Sequence, residues 1–219
     1  MDSPVINAFL QDIRQALRSD PALKAYYWSR LEIVLYPGLH AMFLHRIAHA
    51  LWLMKIPFVP RLISQISRFF TGIEIHPGAK FGPGVFIDHG NGVVIGETAE
   101  IGESVLIYHQ VTLGGTSLLP GKRHPTIGNG VMIGAGAKLF GPITVGNNSQ
   151  IAGGAIVTRD IPADCVVVGN PARIVKREGL RVLETLDTMH LPDPIKSRLE
   201  KLERRADKLE KGFYPDYQI

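Results

Sequence analysis

From Ile75 to Val157 an apolar residue returns at six-residue intervals, and this spacing dictates the architecture. The lead positions are Ile75, Phe81, Ile87, Ile95, Ile101, Ile107, Leu113, Ile127, Ile133, Leu139, Val145, Ile151 and Val157, and Gly often follows. Six-residue self-similarity predicts a parallel β-helix, in which each unit is one short strand plus one turn and three units close a coil of about 18 residues. A single coil cannot bury its leads, so successive coils must stack. The Gly after the lead suits a corner that needs either a positive φ or close backbone approach. An amphipathic helix would space its apolar residues by three and four, which this segment does not do.

Two steps break the count. From Ile87 to Ile95 the interval is eight, with Gly90-Asn91-Gly92 inside it, and from Leu113 to Ile127 it is fourteen. The second segment, with Gly114-Gly115, Pro120-Gly121 and Lys122-Arg123-His124-Pro125, reads as a protruding loop. Breaks in a regular solenoid are where function tends to sit, and both breaks carry His.

The flanking regions are helical by pattern, so the expected fold class is α+β: helices over 1–71, the β-helix over 72–176, and a helix with an extended tail over 177–219. Val5, Ile6, Phe9, Leu10, Ile13 and Leu17 mark a first amphipathic helix. Ser19-Asp20-Pro21 predicts a stop and a second helix with Pro21 at its first position, broken at Tyr36-Pro37-Gly38. Further helices are expected over about 39–54 and 60–70. In the tail, Ile195, Leu199, Leu202, Ala206, Leu209 and Phe213 form a short heptad seam, suited either to winding copies together or to packing on its own domain.

A formal charge of +4 spread along the chain gives no nucleic-acid face, although a modestly basic surface suits an anionic small molecule. The single Cys165 excludes an internal disulfide and fits a reducing compartment. The apolar stretches near 42–53 and 58–70 are interrupted by His and Arg, so no membrane span is expected. Met1–Asp20 lacks the basic start and apolar run of a secretory signal, and a cytoplasmic protein is expected. His45 and His49 have the spacing of a shared metal but flank Arg46 in a helix, and no metal is expected.

His89, in Ile87-Asp88-His89-Gly90, lies at the first irregular step, fifteen residues after Glu74. One turn of the solenoid brings the two into the same region, where a carboxylate holding one imidazole nitrogen would leave the other as a base. A His at a turn and a surface Glu is the alternative on spacing alone.

Several blocks together resemble bacterial serine O-acetyltransferases: Ile73-Glu74-Ile75-His76-Pro77-Gly78-Ala79, Phe86-Ile87-Asp88-His89-Gly90, Val94-Ile95-Gly96-Glu97-Thr98, Val111-Thr112-Leu113-Gly114-Gly115-Thr116, Arg123-His124-Pro125 and Val168-Gly169-Asn170-Pro171-Ala172-Arg173. The resemblance extends over about residues 20–176. It implies a left-handed β-helix, a homotrimer with active sites between subunits, and acetyl transfer from acetyl-CoA to the hydroxyl of L-serine without a metal. By matching position, His89 is the general base and Glu74 its orienting carboxylate. Asp20 and Asp88 hold the substrate ammonium, and Arg123 and His124 its carboxylate. Gly115, Thr116, Ala135 and Gly153 line the acetyl-CoA groove, with Lys138, Arg173 and Lys176 for its phosphates. The Gly114-Gly115 amides are candidate donors to the thioester oxygen. The family further implies feedback inhibition by L-cysteine and docking of the terminal Ile219 into O-acetylserine sulfhydrylase. Larger relatives pair two trimers through a helical domain about twice as long as this one, so the dimer of trimers is left open here. Two other readings compete: an acetyltransferase for a sugar or polysaccharide hydroxyl, and a non-catalytic module that docks on the sulfhydrylase.

Overall fold

The computed structural model describes residues 4–25, 28–177, 199 and 202–206. The chain divides into two compact units, Met1–Leu186 and Asp187–Ile219. In the second, 199 and 202–206 are helical and exposed, which includes three of the heptad positions. Ile195, Leu209, Phe213 and the tail to Ile219 lie outside the described residues.

In the first unit, α1 (Pro4–Ser19), α2 (Pro37–Leu53) and α3 (Val59–Thr71) precede the repeats. The strands follow in chain order: β1 (Glu74–Ile75), β2 (Lys80–Phe81), β3 (Phe86–Ile87), β4 (Val94–Ile95), β5 (Glu100–Ile101), β6 (Leu106–Ile107), β7 (Thr112–Gly114), β8 (Thr126–Ile127), β9 (Met132–Ile133), β10 (Lys138–Phe140), β11 (Thr144–Val145), β12 (Gln150–Ile151), β13 (Ile156–Val157), β14 (Cys165–Val168) and β15 (Arg173–Arg177). Every hexad lead is thus the second residue of a strand.

Each strand pairs in parallel with the one three units later, giving a three-faced prism. The first face stacks β1, β4, β7, β10 and β13; the second β2, β5, β8 and β11; the third β3, β6, β9, β12 and β14, with β15 returning antiparallel on its edge. Leads from all three faces meet in one continuous core with the small or branched residue four positions later, as with Ile95 and Ala99 or Ile107 and Val111. Both corner demands occur, at different positions. The Gly after the lead serves close approach: a Cβ on Gly134 would lie 2.5 Å from Gly153 N, and on Gly146 2.3 Å from Ala163 N. Positive φ falls two residues later, at Gly136 among others.

Side chains alternate along a strand, so the residue before each lead points outward. On the third face those residues, Phe86, Leu106 and Met132, are buried because α1 lies across them through Phe9, Ile13 and Ala16. A buried ion pair fixes α1: Arg46 of α2 donates to both oxygens of Asp12 at 2.7 and 2.8 Å, and Asp12 also accepts from Val85 N–H at 3.0 Å. Burial raises the Asp12 pKa, and Arg46 opposes that shift.

The expected second helix is instead two 3₁₀ segments, Ala22–Lys24 and Trp28–Leu35. Asp20 Oδ1 takes Ala22 N–H at 2.7 Å, and its other oxygen is bonded by the Tyr36 hydroxyl. A continuous helix between them would be roughly 22 Å long and would hold these partners apart. Pro37 opens α2 after the extended Tyr36.

α2 enters against the third face at Gly38, where a Cβ would sit 2.0 Å from Ile87 O. Helix propensity alone predicts that Gly38→Ala adds about 1 kcal/mol. The clash with a strand carbonyl reverses the sign. We expect a loss of about 2–3 kcal/mol, read as a lower urea midpoint with an unchanged slope.

Among the described residues, no helix is long and apolar enough to cross a membrane.

Candidate active site

The eight-residue step places a polar cluster on the corner between the third and first faces. The extra residues put His89 at φ +57°, a left-handed conformation that His tolerates better than most side chains. Its side chain is 76% exposed and lies 3.8 Å from the Asp88 carboxylate. Asp20 comes to the same corner from the end of α1, held by the Tyr36 hydroxyl. Burial raises the Asp88 pKa, His89 opposes the shift and Asp20 adds to it. Burial and these two acids also raise the pKa of Tyr108. Two neighbouring carboxylates in a half-buried setting repel each other, and a bound cation relieves that repulsion.

Glu74 is held elsewhere. Its carboxylate faces Arg61 and Arg68 of α3, both at 3.4 Å, while the carboxylate recorded beside His89 is that of Asp88.

A second cluster occupies the corner between the first and second faces. The His124 ring packs over Gly96, where a Cβ would come within 2.0 Å of it. Its Nδ1 receives the Thr98 backbone N–H at 3.2 Å and lies 2.9 Å from Thr98 Oγ1. A backbone N–H can only donate, so Nδ1 is an acceptor and the ring hydrogen resides on Nε2. Thr98 Oγ1 in turn accepts from the backbone N–H groups of Arg123 and His124 at 3.0 and 3.2 Å. Burial first, then the Arg123 charge, lowers the His124 pKa and favours the neutral ring. The Arg123 guanidinium donates to Glu97 at 2.5 Å. The corner therefore presents a cation and a neutral N–H donor, the complement of an anion such as a carboxylate.

The residues matched to acetyl-CoA divide in the same way. Ala135 and Gly153 stack on the His89 corner, where Gly154 donates to Ala135 O at 2.8 Å and Gly136 to His109 O at 2.9 Å. Gly115 and Thr116 belong to the other corner: a Cβ on Gly115 would lie 3.2 Å from His124 Nε2, and one on Gly141 3.1 Å from Thr116 Oγ1. Lys138 is exposed on the first face, and Arg173 is exposed on β15, which also contains Lys176. Both halves of the site thus flank the first face, and one chain carries them on opposite edges of it.

The model of the bacterial transferase hexapeptide (six repeats) family matches residues 124–159. The chain is 51% identical over 209 residues to a serine acetyltransferase of Staphylococcus aureus, covering 95% of this chain and 96% of that one. The chain belongs to the serine acetyltransferase family. Among solved structures, the Neisseria gonorrhoeae serine acetyltransferase in complex with serine has a TM-score of 0.74 and 38% identity, covering 80% of this chain and 70% of that one. A serine acetyltransferase in complex with cysteine has a TM-score of 0.78 and 34% identity, covering 86% and 72%. The prism is the left-handed β-helix of this family.

Sequence reasoning assigned no role to Thr98, Glu97 or Tyr36. Only the fold shows that one Thr hydroxyl orders two backbone amides and one imidazole. Thr98→Val removes that hub at nearly constant volume. We expect the KM for the amino-acid substrate to rise about tenfold, with a smaller change in kcat, in steady-state assays.

Proposed function

We propose that the chain transfers the acetyl group of acetyl-CoA to the hydroxyl of L-serine, giving O-acetyl-L-serine and CoA, the first step in making cysteine from serine. The observation that carries this reading is the opposite polarity of the two corners. Asp20 and Asp88 beside His89 suit an ammonium, and Arg123 with the Nε2–H of His124 suits a carboxylate. A sugar acceptor has no use for that pairing.

Each side of a coil spans one hexad, roughly 20 Å of extended chain, too far for one amino acid to bridge. A closed ring of copies brings the acidic corner of one subunit to the basic corner of the next, and a trimer is the smallest ring that suits a three-faced prism. In the assembled site His89 takes the serine proton as the oxygen attacks the thioester carbonyl, and then returns it to the departing CoA sulfur. Glu74 is the carboxylate assigned to orient the ring. That role requires it to release Arg61 or Arg68, and exposed pairs at 3.4 Å cost little to break. Donors to the thioester oxygen include the Gly114-Gly115 amides. Acetyl-CoA runs between neighbouring solenoids past Thr116, Ala135 and Gly153, its phosphates meeting Lys138, Arg173 and Lys176.

L-cysteine carries the same ammonium and carboxylate as serine, so the same groups accept it as a competitive inhibitor. The terminal Ile219 lies outside the described residues and is assigned to docking on O-acetylserine sulfhydrylase, in the cytoplasm. The test is CoA thiol release from acetyl-CoA with L-serine, L-homoserine or galactosides as acceptor. Serine-dependent release is expected. Release that needs a sugar would overturn the amino-acid site, and silence with every acceptor would leave docking as the chain's role.

A further inference from the structure

Of the four residues assigned to the amino-acid acceptor, only Asp20 comes from outside the repeats. It reaches the acidic corner from the end of α1, and both of its oxygens are already engaged. Oδ1 takes Ala22 N–H at 2.7 Å, and Oδ2 takes the Tyr36 hydroxyl, 16 residues further along the chain. A carboxylate offers about four lone-pair sites, so two are left for an incoming N–H.

Tyr36 is itself built against the strand that carries Asp88. Its backbone is fixed on both sides: its N–H donates to Ile33 O at 3.2 Å, and its carbonyl accepts from Leu39 and His40 at 3.1 and 3.3 Å. Pro37 follows at the first position of α2, and Gly38 seats on the carbonyl of Ile87, the residue before Asp88. The Tyr36 ring lies beside Phe86 of β3, with centroids 6.2 Å apart and planes at 35°. Its hydroxyl therefore bridges from β3 to the end of α1. Burial first, then the adjoining Asp20 carboxylate, raises the Tyr36 pKa, so the phenol keeps its proton and remains a donor.

The bridge opposes a repulsion. The Asp20 charge adds to the raised pKa of Asp88, so the two acids disfavour each other while the corner is empty. Asp20 is only half-buried. Untethered, it would turn toward water, and each binding event would have to order it again.

We propose that Tyr36 is a positioning residue for the ammonium half of the site, its hydroxyl holding Asp20 beside Asp88 before the amino acid arrives. The assignment rests on the acetyl-transfer reading above. Tyr36 touches neither the acyl donor nor the reacting atoms, so its contribution falls on acceptor binding and not on the chemical step.

The full-length protein is assayed as Tyr36→Phe, Asp20→Ala and the double variant beside wild type. Tyr36→Phe keeps the ring against Phe86 and removes only the hydroxyl. Its KM for L-serine is expected to rise roughly 10–100-fold, the worth of a hydrogen bond to a charged group. Its kcat should stay within about threefold of wild type, and its affinity for CoA, by calorimetry, within about twofold. On the Asp20→Ala background the same change should add less than about threefold, because the hydroxyl has lost its partner. If Asp20→Ala does not fold, Asp20→Asn takes its place with the same expectation. A serine KM within threefold of wild type in Tyr36→Phe would sink the proposal, as would a loss carried by kcat alone. Equal losses with and without Asp20 would do the same, since they mark a packing role. An Asp20→Ala variant with an unchanged serine KM would leave Tyr36 nothing to position and would also overturn it. Failure of wild type to release CoA with serine would defeat the reaction reading itself.

Discussion

His89→Ala lowers kcat for serine acetylation by about 10²–10⁴-fold, the usual worth of a positioned general base. A serine hydroxyl holds its proton tightly near neutral pH, so attack on a thioester depends on a nearby acceptor. His89 is suited to that work because the eight-residue step lifts it out of the coil: its side chain is 76% exposed, whereas the leads beside it, Ile87 and Ile95, are each 1% exposed. The same exposure makes the substitution structurally mild. The melting temperature and CoA affinity should stay near wild type, so the loss appears in kcat. Activity within tenfold of wild type in a folded variant would remove His89 from the mechanism.

Mixed assemblies give the second large effect. Arg123→Met should be almost inactive at ordinary serine concentrations, because it removes a charged donor and leaves Glu97 without its partner. If each site takes its acidic corner from one subunit and its basic corner from the next, His89→Ala and Arg123→Met subunits complement each other. Refolding the two inactive variants together in equal amounts should restore about a quarter of wild-type activity, the chance that a site receives both intact halves. Sites built within one chain would restore none. The proposed feedback supplies a control: L-cysteine should inhibit the restored sites and wild type alike, since both would present the same ammonium and carboxylate partners.

In the proposed site, Glu97 also bears on how the basic corner would accept a substrate carboxylate. It neutralises Arg123 through a contact of 2.5 Å while both side chains keep some exposure, 26% and 35%. An incoming carboxylate would either share the guanidinium fork or displace Glu97, and Arg has donors enough for both. His124 needs no such exchange. Its Nε2–H is fixed by Thr98 on the other side of the ring.

The six-residue period determined the prism. Each lead from Ile75 to Val157 occupies the same place in a strand, because that placement turns the leads into the core while leaving their neighbours outside it. The two breaks in the count likewise marked the segments that hold His89 and Arg123-His124. Local sequence could not show that Asp20 reaches Asp88. That proximity depends on α1 lying across the third face, which rests on a buried pair between Asp12 and Arg46, 34 residues apart. Nor could it show that Glu74 faces two arginines or that Thr98 sets the tautomer of His124. The 3₁₀ segments after Pro21 had the same cause, since a side-chain bond from Tyr36 to Asp20 overrode a helical pattern. Periodicity records what every coil must bury, and so it is written in the chain. The pairing of polar side chains across coils and helices is decided only when distant segments meet, and the tertiary structure alone fixes it.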